Sequence, residues 1–150
     1  MEAKELYKEI ILDHGKNPRN FGKCENFTSD AKGHNPLCGD KVHIYVNVNK
    51  DRKILDLSFE GEGCAISLAS ASILTDIIKG KENAVADKII KDFLNMIKTS
   101  EKLTLNSLSD DQVTTLMSLS GVKEFPMRVK CATMAWHTLI SALEGKNING

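Results

Sequence analysis

Apolar positions change their spacing along this chain, and each change marks an element. Ala3, Leu6, Tyr7, Ile10, Ile11 and His14 recur every three or four residues, as on an amphipathic helix with one apolar face. Gly15 is expected to end that helix, with the turn-rich run Asn17-Pro18-Arg19-Asn20-Phe21-Gly22 behind it. From Val42 the period drops to two. Val42, Ile44, Val46 and Val48 alternate with Lys41, His43, Tyr45 and Asn47, which predicts a strand with one buried face. A second strand from Ile54 to Glu60 follows a turn at Asn49-Lys50-Asp51, so the two should pair as an antiparallel hairpin. The segment Glu25 to Lys32 is expected to add an edge strand, although its alternation is poor.

The second half reads as helical. Cys64 to Lys79 is rich in Ala, Ser, Ile and Leu, with Gly80 as its stop, and its small residues permit close packing on a sheet. Val85, Ile89, Phe93 and Ile97 set an apolar stripe on a helix from Asn83 to Lys98. Ser109, with Gln112 three residues later, has the form of a capping box at a helix start. A last helix should begin near Met127, just after Pro126, and run to Leu143, with Gly145 behind it. Strands first and helices afterwards predict an α+β fold: a small, mainly antiparallel sheet of about three strands, packed on one side by four to six helices. Repeats, low-complexity tracts and linkers are missing from the 150 residues, so one domain over 1–150 is expected.

Composition narrows the function classes. Lys and Arg total 20 and Asp and Glu total 20, so the chain lacks the basic footprint of a nucleic-acid binder, and no Lys/Arg cluster points to a membrane surface. The polar N-terminus has no apolar signal segment, and the longest nearly apolar stretch, Cys64 to Ile78, is too short to span a bilayer. A cytoplasmic protein is expected. There thiols stay reduced, so four cysteines favour metal binding or catalysis over disulfides.

Three of those cysteines have informative settings. In Asn35-Pro36-Leu37-Cys38-Gly39-Asp40, residues two apart on an extended chain share a face, so Cys38 and Asp40 can aim at one ion. Taken alone, Cys38 is equally well an incidental thiol in a Pro/Gly turn. Gly61-Glu62-Gly63-Cys64 leads from a strand into a helix and should leave Cys64 in the first helical turn, where the helix dipole favours a thiolate. Cys131 lies in the first turns of the last helix, after Arg128 and Lys130, whose charge would also favour its thiolate. Cations at a helix start oppose the dipole, which suits a nearby cluster of negative ligands. Three thiolates and a carboxylate from Cys38, Asp40, Cys64 and Cys131 make the four ligands of a tetrahedral Zn²⁺. Cys24 has no comparable setting and reads as incidental. His14 reads as a packing or capping residue, and His43 belongs to the polar face of its strand. His34, Arg128 and Lys130 are candidates to touch the ligands from outside.

Taken together, these motifs resemble the U-type iron–sulfur assembly family (SufU, IscU and the N-terminal domain of NifU), and most closely its SufU branch. The resemblance rests on Leu6-Tyr7, Asp13-His14, Asn17-Pro18-Arg19-Asn20, Asn35 to Asp40, Gly61 to Ser67 and Phe125 to Ala132, in fixed order along nearly the whole chain. Lys130 stands where IscU-type scaffolds carry a His, and an insertion at roughly Gly80 to Ser120 also matches the SufU branch. The resemblance implies a SufU/IscU-like fold and a zinc-dependent sulfur acceptor. Its partners would be a pyridoxal-phosphate cysteine desulfurase and a downstream iron–sulfur scaffold or acceptor. It further implies that Cys38 leaves the metal to take persulfide sulfur while Asp40, Cys64 and Cys131 hold on. Two other readings stand beside it: a scaffold for transient iron or a [2Fe–2S] cluster on the same ligands, and an interaction module with purely structural zinc. A cysteine hydrolase would need a His placed as base, and none is.

Overall fold

The computed structural model describes residues 3–99, 103 and 107–145. Alternation places the sheet first. Strands β1 (Ser29–Asn35), β2 (Asp40–Val48) and β3 (Ile54–Glu62) form one antiparallel sheet in the order β1-β2-β3. Ile44 lies opposite Ala31 and Phe59, and Val46 opposite Ser29 and Leu57. Ala31, Ile44, Val46, Leu57 and Phe59 are all fully buried, as the period of two requires. The opposite face is polar. His43 Nε2 lies 2.6 Å from Asp30 Oδ2, and the Tyr45 hydroxyl donates to Glu60 Oε1 at 2.6 Å. Tyr45 is nevertheless buried, because the Phe27 ring packs edge-on against it at 5.2 Å. That burial and the Glu60 carboxylate push the phenol pKa up to about 12.

The edge strand starts at Ser29, four residues later than expected, and runs on to Asn35. Its inward positions are Ala31, Gly33 and Asn35, which are small or polar and so give a weak apolar signal. They are small because the last helix lies on them: a Cβ on Gly33 would collide with Thr138 Oγ1.

Helices α1 (Ala3–Lys16), α2 (Ala65–Ile78), α3 (Asn83–Thr99), α4 (Asp110–Met117) and α5 (Pro126–Leu143) surround the covered face, with a 3₁₀ turn at Ser120–Glu124 before α5. Helices α2 and α5 pack on the sheet; α1 packs on α2, and α3 on α5. Gly15 does not stop α1. The helix continues to Lys16, and Asn17 N–H still bonds Asp13 O at 2.8 Å. Glycine only weakens a helix, by about 1 kcal/mol, whereas Pro18 restricts the residue before it. The capping box at Ser109 forms as expected, with Ser109 and Gln112 exchanging bonds of 3.0 and 3.1 Å. Within the Gly80–Ser120 segment, residues 100–102 and 104–106 lie outside the described residues, and α3 and α4 lie on either side of them.

Two polar contacts staple the helices. Trp136 on α5 is fully buried, stacks on Phe93 of α3 at 4.0 Å, and donates its indole N–H to Ser70 of α2 at 2.9 Å. Trp136→Ala is expected to cost about 3–5 kcal/mol in urea unfolding, because it opens a large cavity and removes the hydrogen bond to Ser70, whose hydroxyl keeps only its bond to the Ala132 carbonyl. His14 is 6% exposed, with Nδ1 2.7 Å from the Ser72 hydroxyl, which also accepts Arg19 N–H at 2.8 Å. Since Ser72 Oγ takes the Arg19 proton, its own O–H is free to donate to a neutral His14 ring.

Burial lowers the His14 pKa below the ordinary value of about 6.5. The unfolded chain then binds more protons than the folded one, so stability is fully present above that value and is lost as pH falls below it. Melting temperature should drop between pH 7.5 and 5.5, and less so in His14→Gln. Equal drops in both proteins would show that His14 contributes nothing to the acid sensitivity.

Candidate metal centre

Three segments far apart in sequence meet at one end of the sheet. The β1–β2 hairpin loop carries Cys38, and Asp40 opens β2 opposite Asn35. Gly39 between them has φ +72°, a left-handed turn that glycine adopts without strain. Beyond β3, Gly63 has φ +142° and leads into Cys64. Cys64 is the N-cap of α2 rather than a residue of its first turn, with extended backbone angles and its sulfur accepting Ser67 N–H at 3.4 Å. Cys131 is the sixth residue of α5, one turn inside the helix.

The ligand atoms of Cys38, Asp40 and Cys131 all lie within 4.8 Å of one another. The Cys38 and Cys131 sulfurs are 3.7 Å apart. Cys64 joins through Asp40: its backbone N–H donates to Asp40 Oδ1 at 2.9 Å, and its sulfur lies 3.9 Å from Oδ2. Asp40 is fully buried, so its hydrogen bond from Cys64 orients a carboxylate that water does not reach. No disulfide joins the four cysteines, and Cys38 and Cys64 remain partly exposed while Cys131 is buried.

Electrostatics differ from the expectation at Cys131. Burial, followed by contacts with Asp40, Cys38 and Cys64, pushes its thiol well above the ordinary value, so the flanking bases do not produce a free thiolate there. Arg128 does face the sulfurs. Its guanidinium is held more firmly charged by Cys131 first and then by Cys64. Lys130 and His34 instead line a neighbouring hollow with Pro36, Leu37 and His137. Helix phase explains the split: Arg128 is three residues before Cys131 and shares its face, whereas Lys130 is one residue away, about 100° round the helix. Cys24 stands apart, buried, donating to Asp56 Oδ2 at 3.2 Å.

One residue joins the site that its pattern did not announce. Asn35, 5% exposed, donates its side-chain N–H to Cys131 Sγ at 3.9 Å and accepts Leu37 N–H on Oδ1 at 3.3 Å. Its signal was there to find: a polar residue at an inward strand position, in line with Ala31 and Gly33.

The model for the NifU-like N-terminal domain matches residues 6–132, which contain all four candidate ligands. The chain belongs to the NifU-like N-terminal domain family. Within that family it is 40% identical to the zinc-dependent sulfurtransferase SufU of Bacillus subtilis, over 95% of this chain and 94% of that one. It is 34% identical to the iron–sulfur cluster assembly scaffold protein IscU of Thermotoga maritima, over 96% of each. Among solved structures, FiSufU of Fervidobacterium islandicum superposes with a TM-score of 0.78 at 37% identity, covering 95% of this chain and 99% of that one. The three-stranded antiparallel sheet with its helices is thus the NifU-like fold. Among the described residues, no helix is long and apolar enough to cross a membrane.

Proposed function

We propose that this chain is a zinc-dependent sulfur acceptor in iron–sulfur cluster biogenesis, with Cys38 as the accepting thiol. The observation that carries the reading is the approach of Cys38, Asp40 and Cys131 ligand atoms to within 4.8 Å, with Cys64 tied to Asp40. The likeness to a SufU zinc-dependent sulfurtransferase points the same way. The donor set fits zinc: sulfur-rich and four-membered, with Asp40, Cys64 and Cys131 held by a strand start, a helix cap and a helix, and Cys38 on the adjoining hairpin loop. Bound zinc would hold thiolates without oxidising them. Cys38, Asp40, Cys64 and Cys131 would be its ligands.

The roles of the residues follow from their exposure. Cys131 and Asp40 are buried and serve as the fixed side of the site, whereas Cys38 rides on a four-residue loop at the surface. A pyridoxal-phosphate cysteine desulfurase presents its sulfur as a cysteine persulfide. The Cys38 thiolate forms a new S–S bond to the outer sulfur as the donor's S–S bond breaks, and the donor cysteine leaves as thiolate. The proton stays on the transferred sulfur. Arg128 offsets the negative charge that collects at the sulfurs. Leu37, Phe125 and Met127, beside Cys38 and at the start of α5, are each more than half exposed, an apolar rim of the kind that docks a partner protein. The transferred sulfur would then pass to a downstream iron–sulfur scaffold or acceptor.

Peptide mass spectrometry after incubation with a cysteine desulfurase and cysteine tests the reading. Zinc-loaded protein is expected to carry extra sulfur on Cys38. The likeness to IscU supports a second reading, transient [2Fe–2S] assembly on the same residues. That reading gains if iron and sulfide build a cluster while Cys38 gains no sulfur.

A further inference from the structure

Asn35 touches the parts that bear three of the four donors. It pairs with Asp40 across the β1–β2 ladder. Its main-chain carbonyl accepts Cys38 N–H at 3.3 Å and Gly39 N–H at 2.8 Å, and its Oδ1 accepts Leu37 N–H at 3.3 Å. Its carboxamide nitrogen donates to Cys131 Sγ at 3.9 Å, across 96 residues of chain. The residue is only 5% exposed, so water does not substitute for these partners.

We propose that Asn35 is a positioning residue of the metal centre: it presents an N–H donor to the Cys131 sulfur and anchors the loop from which Cys38 reacts. The inference rests on the zinc reading above. Three thiolates and a carboxylate around one divalent ion leave a formal charge of −2, and a buried N–H aimed at one sulfur disperses part of it. The same side chain ties the base of the Cys38 loop to the buried side of the site. That tie would keep Leu37 and the loop that carries Cys38 in register while Cys38 reacts.

A turn former alone would behave differently, and one substitution separates the two roles. Asn35→Asp keeps the size and the oxygen that accepts Leu37 N–H, so the turn survives. It replaces the donor to Cys131 with a second carboxylate oxygen. The expected result is zinc affinity lowered about 10- to 100-fold by chelator competition, with shifted sulfur-to-cobalt absorption bands in the Co²⁺-loaded protein. Asn35→Ala, which loses both contacts but adds no charge, should also bind zinc more weakly than the wild type. Wild-type affinity and unshifted bands in Asn35→Asp would overturn the proposal while leaving the zinc site intact.

Should Asn35→Asp not fold, the wild type loaded with cadmium-113 decides. A scalar coupling between the metal and the Asn35 side-chain amide protons supports the N–H to sulfur bond; its absence, with couplings to the cysteine β-protons present, overturns it. A wild-type chain that takes up no zinc overturns this proposal together with the reading it rests on.

Discussion

Gly63→Ala is expected to cripple metal binding without unfolding the chain. Gly63 has φ +142°, a backbone conformation that residues with a Cβ rarely adopt. A Cβ built there would also collide with Asp40 Oδ1 and come within 2.9 Å of Asp40 Cα. Asp40 has nowhere to go. It is fully buried, held opposite Asn35 in the sheet, and bonded to Cys64 N–H at 2.9 Å. The substitution therefore pushes apart two ligands, Asp40 and Cys64, and zinc affinity should fall on the order of 100-fold, the upper end for disrupted ligand support. Backbone strain should add about 1–3 kcal/mol of destabilisation. Gly80→Ala is the control. Gly80 also has positive φ, +87°, but a Cβ there meets nothing within 4 Å. It should lose stability and keep its zinc. Equal zinc affinities for the two variants would show that the contact with Asp40 does not matter.

The second large effect falls on reactivity. Cys38→Ala should reduce sulfur acquisition from a cysteine desulfurase at least ~100-fold, as expected when the nucleophile of a covalent step is removed. Cys131 cannot take over, because it is buried and a desulfurase persulfide cannot reach it. The fold should survive, since Cys38 sits on a hairpin loop outside the apolar core, and the melting temperature should shift little. Zinc should bind more weakly, through the three remaining ligands. Stimulation of desulfurase turnover by the variant, measured as alanine released from cysteine, should vanish even at saturating zinc. Wild-type stimulation would assign the acceptor role to Cys64, the other partly exposed cysteine.

How far the sequence revealed this molecule varied with the physics of each part. Strands β2 and β3 were legible because one face of each is buried and apolar while its neighbours alternate outward. Helix α3 was legible through Val85, Ile89, Phe93 and Ile97, and α5 through Pro126, which occupies its first position. Strand β1 was blurred because α5 lies directly on it and leaves room only for Ala31, Gly33 and a polar Asn35. The end of α1 was placed at Gly15 because glycine is a common helix stop; here the proline after Asn17 sets the boundary. At the site, glycine-framed cysteines and the Cys38–Asp40 spacing could be picked out locally. Cys64 moved from the first turn to the cap because its sulfur accepts Ser67 N–H, as a capping residue does. The polar Asn35 at an inward strand position was a local signal, but its sulfur partner was not legible, since it comes from another element 96 residues away.

Zinc K-edge X-ray absorption on zinc-loaded wild type and Cys38→Ala bears most directly on whether the four residues form one centre. Three sulfur ligands and one oxygen ligand are expected in the wild type, with the sulfur count falling to two in the variant. A wild-type shell dominated by nitrogen or oxygen, or one that Cys38→Ala leaves unchanged, would contradict it.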